Sequence, residues 1–334
     1  MTINVTRDHV VRYRARVSHL DEKLPPGSFA KAAWGGLQDS IPRGGVISLH
    51  ARVEDTQPDS WEDASIAQIW FRGGADYLVP RDDVGVFTLG SFPRDPELGR
   101  SLDKLADDIH RVTGGETLLV REVSARLALD GPTAIRASGL TGRVLIRWDA
   151  ANIWAIPVDR PKIEVEDARR ELARRFLHWF GPTTVQRLAV WTGIQPRDAA
   201  ETWKSIEKDL VAVDIRGESR SMLAADLDAL TGPAPLTGVR LLPFDDAFTK
   251  LDKELLVANE KRRGTVFPPV GQSVGHIPGA ILVDGEIVGS WQRQQRKVTL
   301  HPWTRLRAAV REEIEREALS FPIAAKSKAT VIWA

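Results

Sequence analysis

The chain has 334 residues, with 43% hydrophobic residues and 46 Lys plus Arg against 45 Asp plus Glu for a net charge of +1. That is enough apolar material for two or three compact units and excludes a disordered chain. Cysteine is absent, which excludes disulfides, thiolate catalysis and zinc–cysteine sites and fits a reducing compartment.

The opening stretch to Leu24 is charged throughout and lacks the apolar core of a signal peptide. No apolar run approaches the ~20 residues of a membrane helix, so a cytoplasmic location is expected, nucleoid-associated if the source is bacterial. Thr6 to about Asp21 reads as a helix with Val10, Tyr13, Val17 and Leu20 on one stripe, ended by Lys23-Leu-Pro-Pro-Gly27. A second helix is expected over Phe29–Leu37, and short strands over Val46–Val53, Asp76–Pro80 and Val84–Leu89. Leu98–Val112 and Val120–Leu129 read as helices. In Val144–Ile156 the alternation of Val144, Ile146 and Trp148, then Trp154 and Ile156, reads as a strand pair. Helix, helix, strand pair is the winged-helix order. It recurs as helices over Val165–Phe180, Pro182–Thr192 and Pro196–Leu210, then Val211–Ile215 and Ser221–Ala225 around Arg216-Gly217. Further on, Ala280–Trp291 holds an Asp284-Gly285 turn between apolar runs, a hairpin favouring type I′ geometry. Lys297–Leu300 adds a strand and Thr304–Leu319 an amphipathic helix with Leu306, Val310 and Ile314. The fold class is therefore α+β, divided as 1–97, 98–160, 161–232 and 233–334: three helix-turn-helix units with winged hairpins, then a β-hairpin region with a final helix.

Four blocks in order then resemble the AlkZ-like winged-helix DNA glycosylase family. They are Arg175-Phe-Leu-His-Trp-Phe-Gly-Pro-Thr-Thr184 continuing to Gly193; Arg240-Leu-Leu-Pro-Phe-Asp245; Asp252 with Glu254-Leu-Leu-Val257; and Pro278 to Trp291. The resemblance spans about Ala30 to Leu306. It implies tandem winged helices around a concave, DNA-sized channel, double-stranded DNA as partner, and no metal or redox cofactor. It further implies excision of alkylated or crosslinked purines; a non-catalytic DNA-binding relative is the alternative.

The family's catalytic signature is Gln-x-Gln or Gln-x-Asp after Gly-Leu, and here the matching stretch is Gly36-Leu37-Gln38-Asp39-Ser40. Gln38 fits. Ser40 replaces the second amide or carboxylate and Asp39 the apolar middle residue. In an extended segment Gln38 and Ser40 face one way and could hold a water between them, while Asp39 faces the other unless the backbone twists. A cationic alkylated purine is already a good leaving group, so orienting water and stabilising charge on the sugar suffices. A plain polar turn before Pro42 is the competing reading.

The tip Asp284-Gly285-Glu286 lies where the family places an element approaching the minor groove, though two carboxylates would repel phosphates. Arg293, Arg296 and Lys297, like Lys261, Arg262 and Arg263, read either as phosphate contacts or as a solvated face. Gln186 and Arg187 lie on a candidate recognition helix, whereas Trp179, Trp191, Trp203 and His178 read as structural. The seven histidines show no metal-ligand spacing. A monomer is expected.

Overall fold

The computed structural model describes residues 3–39, 43–232, 235–267, 278–323 and 329–334. Strand β1 (Ile3–Val5) leads into α1 (Arg7–Val17), whose start is fixed by a capping box between Thr6 and His9. Helix α2 (Phe29–Ala32) is one turn, followed by β2 (Leu37–Gln38). The helix expected to Leu37 stops here for a local reason. Gly36 sits at φ +78°, and a Cβ on Gly35 would lie 2.2 Å from the Trp179 ring. The chain turns tightly under that indole, which only glycine allows, and emerges extended.

Helix α3 (Gly44–His50), strands β3 (Ile66–Phe71) and β4 (Ala75–Pro80), and helix α4 (Val84–Gly90) follow. The apolar runs Val46–Val53 and Val84–Leu89, expected as strands, are thus helical, and β3 was not foreseen. Every residue of α3 and α4 is buried. Neither has the polar face that gives a helix its 3.6-residue pattern, and a short apolar run looks alike in both states.

Longer elements lie close to expectation. Helix α5 (Pro96–Thr113) starts at the Asp95 cap, whose carboxylate accepts from the Glu97 and Leu98 N–H groups, and ends at left-handed Gly114. Strand β5 (Leu118–Leu119), α6 (Val120–Arg126), β6 (Val144–Trp148) and β7 (Ile153–Pro157) complete that unit. Next come α7 (Val165–Phe180), α8 (Val185–Thr192), α9 (Pro196–Ser205) and the hairpin β8 (Leu210–Ile215) with β9 (Glu218–Leu223). The remainder holds α10 (Leu227–Thr231), β10 (Val239–Leu242), α11 (Lys253–Leu256), α12 (Glu260–Val266), β11 (Gly279–Val283), β12 (Glu286–Gln294), β13 (Lys297–Pro302), α13 (Ala308–Leu319) and β14 (Thr330–Trp333).

Three sheets organise these elements. The largest runs β2-β4-β3-β6-β7-β5, with Gln68 of β3 opposite Ile146 of β6, so it crosses the boundary drawn at residue 97. The second is β1-β8-β9 and the third β10-β11-β12-β13-β14. In the first core, Phe71 meets Tyr77, Phe87 and Trp191 edge-on at centroid distances of 5.1, 5.6 and 5.3 Å, and α7 adds Phe176 and Phe180. Truncating one such aromatic costs roughly 3–5 kcal/mol. This wall fixes β4, and β4 in turn fixes the edge strand β2.

Candidate active site

Strand β2 pairs antiparallel with β4, setting Leu37 opposite Leu78 and Gln38 opposite Tyr77. Leu37 is buried and Gln38 half-buried. The Tyr77 hydroxyl donates to Gln38 Oε1 at 3.1 Å, and burial pushes that hydroxyl's pKa above its ordinary value, keeping it a donor. Two further side chains arrive from the segment after β10. Lys250 Nζ donates to the same Oε1, and Gln38 Nε2 donates to Asp245 Oδ2 at 3.2 Å. Lys250 closes the group with a 3.0 Å contact to Asp245 Oδ1. Burial lowers the Lys250 ammonium to about 8, with Asp245 opposing the shift. The amide of Gln38 is thereby held in one orientation by three side chains.

The segment carrying them is built for this. Asp246 caps the 3-10 turn Ala247–Thr249 through the Phe248 N–H. Its fully buried carboxylate also receives Arg52 at 2.8 Å on both oxygens and the Ser48 hydroxyl at 2.6 Å. That anchor brings Asp245 and Lys250 together on Gln38. Neither residue, nor Tyr77, was a candidate on sequence; the signal was the acidic doublet closing Arg240–Asp246 with a lysine four residues on.

Asp39 takes the other side, as strand alternation requires. It is fully buried, accepting the Gly45 N–H at 2.8 Å and Arg43 Nη1 at 2.9 Å, with Gln68 Nε2 at 3.4 Å. Burial raises its carboxyl to about 7 against the pull of Arg43 and the Gly45 N–H. The twist needed to bring Asp39 beside Gln38 is absent, and its carboxylate instead supports the start of α3. Ser40 lies outside the described residues.

Beside Arg43 lies a cleft of about 1070 Å³, whose lining includes Arg43, Trp61, Asp149, Arg293, Gln295 and Arg296. The Arg43 guanidinium lies 4.0 Å from the Trp61 ring centroid, and Arg147 lies between Trp61 and Trp154 at 5.2 and 4.9 Å. Such an arginine–indole stack presents a rigid, cationic wall.

The family model described as DNA glycosylase AlkZ-like matches residues 32–321. The chain belongs to this family. A curated relative, the interstrand DNA cross-link repair glycosylase of Streptomyces sahachiroi, is 24% identical over 163 residues, a match spanning 46% of this chain and 42% of that protein. The structure of the Streptomyces sahachiroi DNA glycosylase AlkZ superposes with a TM-score of 0.79 at 18% identity, covering 99% of this chain and 100% of that one. Among the described residues no group of His, Asp and Glu could hold a metal ion, and no helix is long and apolar enough to cross a membrane.

The remaining candidates of this AlkZ-like chain fall in separate places. Arg293 and Arg296 share the cleft wall, with exposed Lys297 next in the chain at the start of β13. Lys261 and Arg262 are exposed on α12, Arg262 lying 5.6 Å from the Trp303 ring, while Arg263 donates to the Val257 carbonyl. The tip Asp284-Gly285-Glu286 has the expected pair of positive φ values, 50° and 82°. It does not stand free, however. Gly285 is buried against Leu236, the Asp284 carboxylate accepts the Gly238 N–H, and Glu286 grips Arg7 of α1 at 2.5 and 2.8 Å. On α8, Gln186 is exposed, but Arg187 is turned inward to Asp252 and Glu254 at 2.6 and 2.8 Å. A guanidinium tied to two carboxylates is poorly placed to read a base edge. His178 contacts Asp226 at 3.0 Å, and Trp179 and Trp191 are buried, the structural roles expected of them.

Proposed function

We propose that this chain hydrolyses the N-glycosidic bond of alkylated or crosslinked purines in double-stranded DNA, with Gln38 at the reacting centre. The observation that supports this most is the fixed amide of Gln38 at the edge of the main sheet, gripped by Tyr77, Lys250 and Asp245. An active-site group held by such partners needs no reorganisation when charge develops on the sugar. The unit α5-β5-α6 with hairpin β6–β7, and the unit α7-α8-α9 with hairpin β8–β9, act in this reading as winged helices against the duplex. The cleft with Arg43, Arg293 and Arg296 takes the phosphate backbone. A positively charged alkylpurine leaves as a neutral base, so the site has only to orient water and stabilise the oxocarbenium-like sugar.

The test pairs base release with binding. Purified protein is incubated with a duplex containing N7-methylguanine and with an interstrand-crosslinked duplex, and release is followed beside gel mobility. Gln38→Ala is expected to lose release by ~100-fold or more while its affinity stays within about twofold. Undiminished release by Gln38→Ala defeats the mechanism; binding with no release by the parent marks a non-catalytic relative.

A further inference from the structure

The carbonyl oxygen of Gln38 already accepts from Tyr77 and Lys250, which fills both of its lone pairs, and an amide is not a base in any case. Asp39 is buried on the opposite face, bound to Arg43 and the Gly45 N–H. The carboxylate that does meet Gln38 comes from elsewhere in the chain. Asp245 is 24% exposed, sits at φ +62°, an uncommon backbone state for a non-glycine residue, and directs both oxygens to the site: Oδ2 to Gln38 and Oδ1 to Lys250. Its neighbour Asp246 is sealed inside with Arg52 and Ser48. The doublet is thus split, one carboxylate serving the fold and the other facing the amide. A carboxylate offers about four acceptor positions, and these two contacts leave room on each oxygen for a water.

We propose that Asp245 accepts the proton of the hydrolytic water, so that the site's Gln–carboxylate pair is assembled from two distant segments, with Lys250 as the positioning residue between them. This rests on the glycosylase reading above. In the step, the water oxygen bonds to C1′ as the C1′–N bond breaks. The electron pair leaves with the purine, neutralising its positive charge, and the proton lost by water passes to Asp245 and then to solvent. Gln38 donates an N–H to the carboxylate and holds it in line. Lys250 fixes both partners from below.

The experiment is single-turnover base release from the N7-methylguanine duplex by the full chain, measured with duplex affinity and thermal melting for the parent, Asp245→Asn, Asp245→Ala and Lys250→Met. Asp245→Asn keeps the shape and removes the basic oxygen. Its rate is expected to fall ~100-fold or more, with affinity within about twofold and a melt lowered by no more than loss of the Lys250 ion pair requires. Formate added to Asp245→Ala should restore part of the rate by returning a carboxylate, an outcome a merely structural aspartate would not give. Lys250→Met is expected to lose rate without gaining from formate. If the parent releases base and Asp245→Asn does so equally well, this assignment fails and the glycosylase reading stands. If rate and affinity fall together and formate does nothing, Asp245 belongs to binding or folding and the assignment also fails. If the parent releases no base, the glycosylase reading falls and takes this one with it.

Discussion

Two ionic clusters lie seven residues apart on the segment after β10, and they are opposites. Around Asp252 the charges are sealed. The carboxylate is completely buried and meets Arg14 at 2.6 Å, Arg220 at 2.8 Å and Arg187 at 2.6 Å. Burial alone would raise its pKa, but the three guanidinium groups outweigh it and hold the carboxyl below its ordinary range. Arg14 also donates to the carbonyls of Phe180, Gly181 and Pro182, so the cluster ties α1, the end of α7 and β9 together. Asp245 contacts a single cation, Lys250, and a neutral amide, and its carboxylate is partly exposed to solvent. Excess partners and full burial mark a joint of the scaffold; a carboxylate with one cation and some exposure keeps acceptor positions unfilled.

The comparison breaks most visibly at its sealed end. Asp252→Ala leaves Arg14 buried without its counter-ion and is expected to cost about 3–5 kcal/mol of stability. Urea denaturation measures the loss, and the fraction still folded should retain its base-release rate, the reverse of Asp245→Asn. A smaller effect sharpens the open end. Lys250 is charged below about 8 in the folded chain and up to its ordinary, higher pKa in the unfolded one. Between these values the unfolded state binds more protons, so stability rises with pH through that window, and the penalty is fully present below 8. The gain is roughly 2 kcal/mol, and it should vanish in Lys250→Met when denaturation at pH 7.5 and pH 10 is compared. The smallest effect belongs to the surface pair Arg7–Glu286, whose glutamate side chain is 53% exposed. Glu286→Gln is expected to cost less than ~1 kcal/mol, shrinking in high salt, and to leave duplex affinity unchanged.

What is legible in the sequence depends on the range of the interaction. Helices α5 and α7 declare themselves by an amphipathic stripe, and the Asp284-Gly285 turn by its residues alone. The buried helices α3 and α4 have no polar face to betray their period. Gln38 was a candidate through the Gly-Leu-Gln stretch, and the facing of Asp39 away from it followed from simple alternation. Tyr77 reaches Gln38 only through the register of β2 on β4. Asp245 and Lys250 come from 207 and 212 residues downstream. No local pattern encodes such a meeting; it is a property of the packed sheet and of the Asp246–Arg52 anchor.

The pairing of Ile3–Val5 with Val213–Ile215 has a consequence in time. The two strands are separated by about 210 residues of synthesis, which at ~5–20 residues per second leaves β1 waiting on the order of 10–40 s for its partner. Helix α1 can form within microseconds, yet its buried Arg14 must wait longer still, because its carboxylate at Asp252 emerges after β8. Strand β1 is therefore made long before the strand and the carboxylate that secure it, and during that interval its edge stands without its partner.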